Sequence, residues 1–258
     1  MLWWSNREAP SHDHRRRSQA PQRHGAGRTY QPYRLVGYLR PPRHARLGDD
    51  RQGVGRHSVS RHRRPVRRRY AVSIACCAGA PRFGQGECKY FSYPLPSIVE
   101  KLRTALHSQL APPANRWNDA MGTPARYPET HAQFIARCHQ ACQTQPTPLL
   151  LQYVKGDYNC LRQDLYGEHV FPFQVTFLLP DAEHDFTGGE FVLIEQRPRM
   201  QSRAMVVPLQ QGDGVIFAVS QRPVHGSRGT YRINLRHGVS EIRSGRRHTL
   251  GVPFHDAR

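Results

Sequence analysis

The chain is predicted to be mainly β with α: two helices, then a sandwich or barrel of short strands, behind an arginine-rich N-terminal segment. Three observations carry this. Seven short runs of β-forming residues, separated by turn residues, fill the last 110 or so positions. Two stretches before them place apolar residues at helical spacing. Residues 1 to about 75 show no hydrophobic periodicity.

The N-terminal segment is set apart by charge. Residues 1–70 hold eighteen arginines, no lysine and four acids, a net +14 of the chain's +19. Runs such as His14-Arg15-Arg16-Arg17 and Arg61-His62-Arg63-Arg64 cannot bury enough apolar surface to offset chain entropy. Residues 1–80 are therefore expected to be disordered or spurious, and the folded domain to span 81–258. Two readings of the segment stay open. One is a basic arm for nucleic-acid phosphates. The other is the all-arginine, proline-rich text that arises when a GC-rich gene is translated in a wrong frame. Met1-Leu2-Trp3-Trp4 runs straight into polar residues, without the apolar core of a secretory signal. No apolar stretch approaches the ~20 residues of a membrane span. A reducing, cytoplasmic setting is the expectation, with the cysteines at 76, 77, 88, 138, 142 and 160 as free thiols.

Order is expected from near Arg82. Ile98, Val99, Leu102, Leu106 and Leu110 repeat at helical spacing, with Ser97 as the expected N-cap. A second helix is expected over 130–143, bearing Phe134, Ile135 and Cys138. Cys138 and Cys142 flank His139 and could form half a metal site. Four-residue spacing on one helix face is the simpler reading, because no second matching pair is present. Pro146 and Pro148 close the helical part. Strands are then expected at 149–154, 173–179, 190–195, 204–209, 214–219, 231–235 and 248–254. Gly188-Gly189, Gly212-Asp213-Gly214 and Ser244-Gly245 mark turns between them.

The chemistry gathers in three positions: Asp164, His237 73 residues later, and Arg247 ten beyond that. A carboxylate, an imidazole and a guanidinium in this order can hold a metal and an acidic co-substrate. Non-haem iron sites use two imidazoles and one carboxylate on one face of the metal. Two of those ligands lie two apart on one strand, so that both point inward. The position two before Asp164 is Arg162, which offers no lone pair to a metal.

The surrounding text resembles the Fe(II)/2-oxoglutarate-dependent dioxygenase superfamily, on its prolyl-hydroxylase-like branch. Tyr153 to Tyr158 is similar to the tyrosine–glycine stretch before the metal motif. Gln163-Asp164 stands at the end of that motif. Phe186 to Phe191 resembles the glycine–glycine–glutamate strand entry, and Val207 to Phe217 the proline–glycine–aspartate hairpin. His237 to Arg247 resembles the distal histidine followed ten residues later by the arginine that grips 2-oxoglutarate. The wording GEHVFP, RPRMQSR, LRHGVS and FHDA resembles a bacterial subfamily described as acting oxidatively on alkylation-damaged DNA. The likeness reaches back to about Phe83.

The resemblance implies a double-stranded β-helix barrel of the jelly-roll or cupin kind, with flanking helices. It implies Fe(II) as cofactor, and 2-oxoglutarate and dioxygen as partners. Asp164 and His237 would be the metal ligands, Arg247 would bind the distal carboxylate, and Tyr153 would donate a hydrogen bond to the co-substrate or pack in the core. Two rivals lose on spacing. Counting ten on from His225 reaches Leu235, which binds no carboxylate, and Arg246 would point to the opposite face from Arg247. The family pattern has histidine where Arg162 stands, and a guanidinium beside a metal ion adds like-charge repulsion. His169 lies past a turn and is expected off the site.

Three functions follow. The first is hydroxylation or oxidative demethylation, with alkylated DNA as the subfamily substrate and a prolyl or other protein side chain as the alternative, impaired by Arg162. The second is a catalytically inactive barrel that binds 2-oxoglutarate or nucleic acid. The third, an arginine-rich nucleic-acid-binding protein without the barrel, conflicts with the order of motifs over 149–254. Arg197, Arg199, Arg203, Arg222, Arg228 and Arg232 are expected near the barrel mouth, as phosphate contacts or as a solvated basic rim.

Overall fold

Alternation of side chains builds two antiparallel sheets that share one interior. In the computed structural model, the described residues are 84–258 except Glu183 and Arg228, together with two short strands further upstream. The upstream strands are β1 (Gly37–Leu39) and β2 (Val72–Ile74). There follow β3 (Gly84–Gln85), β4 (Glu87–Phe91), α1 (Ser97–Ala120) and α2 (His131–Gln140). The remaining strands are β5 (Leu149–Val154), β6 (Tyr158–Arg162), β7 (Phe173–Leu178), β8 (Phe186–Gly188), β9 (Phe191–Gln196), β10 (Arg203–Val207), β11 (Gly214–Ala218), β12 (Gln221–Gly226), β13 (Gly229–Val239) and β14 (Ile242–Pro253).

The larger sheet runs β1-β11-β7-β14-β5-β4-β2, with β8 on β14. The smaller runs β10-β9-β13-β6-β3, with β12 on β13. Between the sheets lies an apolar filling of Leu178, Phe191, Leu193, Val207, Val215, Phe217 and Val239. The other face of the larger sheet is covered by the helices: Leu110, Ala114, Trp117, Phe134 and Cys138 pack on Phe173, Val175, Ile216, Ala218 and Val252. Strand β11, between β1 and β7, is consequently buried along its whole length. Such a two-sheet barrel with helices on one side is the jelly-roll architecture expected.

The helices differ in detail from expectation. Ser97 is the first helical residue of α1 rather than its cap; Pro96 takes that place without a side-chain cap. The helix also runs ten residues past Leu110, through Pro112 and Pro113. Proline normally ends a helix by removing an N–H, but here Leu110, Ala111, Ala114 and Trp117 bury that last stretch on the sheet. In α2, Thr130 caps the N-terminus by accepting from the Gln133 N–H. Cys138 is buried in that helix, whereas Cys142 lies beyond it, exposed and at φ 60°. The two thiols do not share a helix face and form no metal pair.

Of residues 1–80, expected to be disordered or spurious, only β1 and β2 are described, as additions to β11 and β4. The arginine runs, Cys76 and Cys77 lie outside the described residues. Among the described residues no helix is long and apolar enough to cross a membrane.

Candidate functional site

β13 and β6 build the site. His237 on β13 stands opposite Arg162 on β6, while Val239 stands opposite Asn159. Between these pairs one residue of β13, Gly238, faces two of β6, Cys160 and Leu161, which is a β-bulge. The extra residue brings Asn159 and Arg162 to one side although they are three apart. Asp164 follows two residues past the strand end, and Gln163 is tied down by its side-chain amide to the Leu235 carbonyl at 2.8 Å. His237 itself is walled by Phe217 and Phe191, at ring separations of 4.7 and 6.2 Å.

Asp164 is the hub. His237 Nε2 lies 3.2 Å from its Oδ2. Arg162 Nε donates to its Oδ1 at 3.0 Å, and the Tyr166 hydroxyl donates to the same oxygen at 3.2 Å. Arg162 Nη1 also donates to Asn159 Oδ1 at 3.0 Å. Burial pushes the Asp164 carboxyl up, but His237, then Arg162 and Tyr166, outweigh it and hold the group well below the usual carboxylate range. Burial likewise opposes the charge on Arg162; the adjacent Asp164 carboxylate reverses that and keeps the guanidinium firmly protonated.

Arg247 approaches from the larger sheet. It sits on β14 opposite Tyr153 on β5, with its guanidinium 5.8 Å from the Tyr153 ring centre. Gly189 makes room for it: a Cβ there would collide with Ile242 Cδ1 and meet Arg247 Cδ at 2.8 Å, and Gly189 also has φ +64°. Arg247 is 2% exposed, yet its Nε and Nη1 have no hydrogen-bond partner. Burial alone lowers its pKa to about 10. Tyr153 Oη, Thr249 Oγ1 and Gln174 Oε1 are buried in the same cavity and are also without partners. Buried polar groups are normally paired. The two hydroxyls can donate whereas Gln174 Oε1 only accepts, so unpaired hydroxyl donors beside a buried cation are the signature of a place for an anion.

The structure thus brings together Asp164, His237, Arg247, Tyr153 and Arg162. It excludes His225, which is exposed on β12 beside Thr230, and Arg246, which is exposed while Arg247 is buried. His169 is held by its backbone N–H on Gln143 and does not line the cavity. The basic rim differs from expectation. Arg197, Arg203 and Arg222 converge on the buried carboxylate of Glu195, at 2.7, 3.5 and 2.8 Å. Arg232 donates to the Met121 carbonyl, and Arg228 lies outside the described residues. Sequence reasoning missed Asn159, Gln174 and Thr249. Gln174 and Thr249 carried a signal, as polar residues in otherwise apolar strands; Asn159 carried none, because the bulge that turns it inward is not written in local composition.

The donor set does not fit a ferrous ion. Asp164 and His237 offer one carboxylate and one imidazole where such a site needs three donors, and the position expected to hold the third is a cation already paired with Asp164. Among the described residues no three His, Cys, Asp or Glu side chains converge on one point. The anion-binding half does fit an acidic co-substrate, through Arg247 and its unpaired neighbours.

A jelly-roll barrel with a buried arginine across from a carboxylate–imidazole pair is compatible with the scaffold of the 2-oxoglutarate-dependent dioxygenases. Residues 86–257 match the model of a family described as oxygenases catalysing oxidative methylation of damaged DNA. The chain belongs to that family and is a dioxygenase by resemblance. It is also 46% identical over 192 residues to uncharacterised proteins from two strains of Mycobacterium tuberculosis, covering 74% of this chain and 82% of each relative. Among solved structures, a prolyl-4-hydroxylase from Pseudomonas putida is similar with a TM-score of 0.40 at 12% identity, over 72% of this chain and 78% of that one. An oxidoreductase of the 2OG-Fe(II) oxygenase family from Burkholderia pseudomallei has a TM-score of 0.31 at 20% identity, over 43% and 44%.

Proposed function

We propose that this chain is an Fe(II)- and 2-oxoglutarate-dependent oxygenase by descent, of the class that hydroxylates or oxidatively demethylates, with alkylated DNA as its substrate, and that Arg162 suppresses its turnover. The observation that carries the proposal is the Arg162–Asp164 ion pair at 3.0 Å. It occupies one carboxylate oxygen and stands where a third metal ligand is required. The residues left to this chain act on the acid and on water. Arg247 and the Tyr153 hydroxyl hold the distal carboxylate of 2-oxoglutarate. Phe191, Leu193 and Phe217 keep water from the His237 side.

Exposed Leu161, Leu165 and Tyr166, at 44%, 52% and 38%, flank Asp164 and offer an apolar face for a base. The three arginines on Glu195 leave an excess of positive charge for phosphates. That excess favours nucleic acid over a prolyl side chain.

A second reading, a binding protein of the same fold without turnover, is favoured by the absence of any third metal donor beside Asp164 and His237 among the described residues. Succinate formation with Fe(II), 2-oxoglutarate and dioxygen separates the two, measured for the unaltered chain and for Arg162→His. Turnover in the variant alone supports suppression by Arg162. Equal turnover in both refutes it, and none in either leaves the second reading.

A further inference from the structure

We infer that Arg162 takes over the electrostatic duty of the metal, so that the barrel binds a short dicarboxylate between Arg162 and Arg247 with no metal ion and no preference for a keto group. The inference rests on the proposal above that Arg162 excludes iron, and deepens it.

Its first ground is Arg247. A guanidinium that is 2% exposed, with two unpartnered nitrogens and no ion pair among the described residues, is a costly thing to bury. An anion in the cavity removes that cost. Its second ground is the company Arg247 keeps: the hydroxyls of Tyr153 and Thr249 are buried, unpartnered and able to donate to a carboxylate. Its third ground is Arg162. Nε and Nη1 are committed to Asp164 and Asn159, which leaves Nη2 to donate. The cavity wall includes both arginines, so a diacid meets a cation at each end.

Space decides how the acid enters. With Arg162 folded onto Asp164, the enclosed room is about 20 Å³, close to that of one water. A four- or five-carbon diacid therefore enters as Arg162 exchanges the Asp164 carboxylate for the near carboxylate of the ligand. The exchange replaces one guanidinium–carboxylate pair with another, and Asp164 keeps its contacts to His237 and Tyr166, each at 3.2 Å. The Arg162 side chain is also the outermost of the group, 15% exposed against 4% for Asp164.

Selectivity follows from the chemistry of the cation. A metal ion chelates a 2-oxo acid through its keto oxygen and the adjacent carboxylate. A guanidinium fork recognises the carboxylate alone. Glutarate and 2-oxoglutarate, equal in length, then bind alike.

The test is calorimetric titration of the full chain in EDTA with 2-oxoglutarate, glutarate and acetate. The expected result is similar affinity for the two diacids, within roughly threefold, since both present the same charge-assisted contacts. Acetate, reaching one cation only, binds at least ~10-fold more weakly, and replacing EDTA with Mn(II) changes none of these values. Arg247→Met weakens both diacids by roughly 30-fold or more. Tyr153→Phe, which keeps the ring packing, weakens both to a smaller degree and serves if Arg247→Met fails to fold. Arg162→His weakens metal-free binding and, with Mn(II), prefers 2-oxoglutarate to glutarate. If the unaltered chain binds neither diacid in EDTA while Arg162→His binds 2-oxoglutarate with Mn(II), the inference is overturned and the proposed suppression by Arg162 stands. If the unaltered chain binds 2-oxoglutarate only with Mn(II), both are overturned.

Discussion

Asp256→Ala is expected to destabilise the domain severely, and the size of the effect can be worked from its contacts. Asp256 and Arg103 are essentially sealed from solvent, with side-chain exposures of 0% and 1%. Asp256 Oδ1 accepts from Arg103 Nη2 at 2.9 Å, and Oδ2 accepts from the Tyr93 hydroxyl at 2.8 Å and lies 2.9 Å from His139 Nε2. Removing one partner of a buried pair leaves the other charge uncompensated, at about 3–5 kcal/mol. Arg103 would still donate to the Pro253 and His255 carbonyls, each at 3.0 Å, so the lower end applies. About 3 kcal/mol on a domain of this size lowers Tm by roughly 6–12 °C. Thermal melts followed by circular dichroism, with urea midpoints as a second measure, give the value. The paired variant Arg103→Met/Asp256→Ala removes both charges and should recover part of the loss. A drop below about 2 °C for Asp256→Ala, or a double variant less stable than the single one, would refute the reasoning that the cost lies in the stranded guanidinium.

Two further outcomes are expected. Gly189→Ala places a methyl against Arg247 Cδ at a left-handed backbone position; overpacking and strain together cost about 1–3 kcal/mol, read as a lower urea midpoint with weakened 2-oxoglutarate binding. His107, His131 and His255 are all pushed down to about 4 by burial. Because each is neutral in the fold and takes up its proton on unfolding, stability is complete above roughly pH 6.5 and declines as pH falls towards 4. Urea midpoints measured across that window should fall with acidification, and a flat profile would contradict the burial of these rings.

Much of the barrel was legible because its strands are buried on one or both faces. Phe173–Leu178, Gly214–Ala218 and Leu149–Val154 announce themselves through runs of branched and aromatic residues. β6 was not legible. Its text, Tyr-Asn-Cys-Leu-Arg, lacks both a continuous apolar run and a clean alternation, because the bulge breaks the period of two. The same break hid Asn159 as a partner of Arg162. The choice of Arg247 over Arg246 was readable, since adjacent strand residues face opposite sides. The last ten residues of α1 were not read because the apolar spacing was followed only to Leu110; Ala114 and Trp117 continue the buried face past Pro112 and Pro113 through packing that only the tertiary fold supplies.

The β6 bulge rests on a position that contributes no chemistry. Gly238, between His237 and Val239, lets the β6 backbone pass so close that a Cβ there would meet the Asn159 carbonyl oxygen at 2.6 Å. The distance across which Arg162, Asp164 and His237 meet is thus governed by an atom the chain omits. Any side chain at Gly238 would act as a shim between the two strands, prising the carboxylate from the imidazole without altering either.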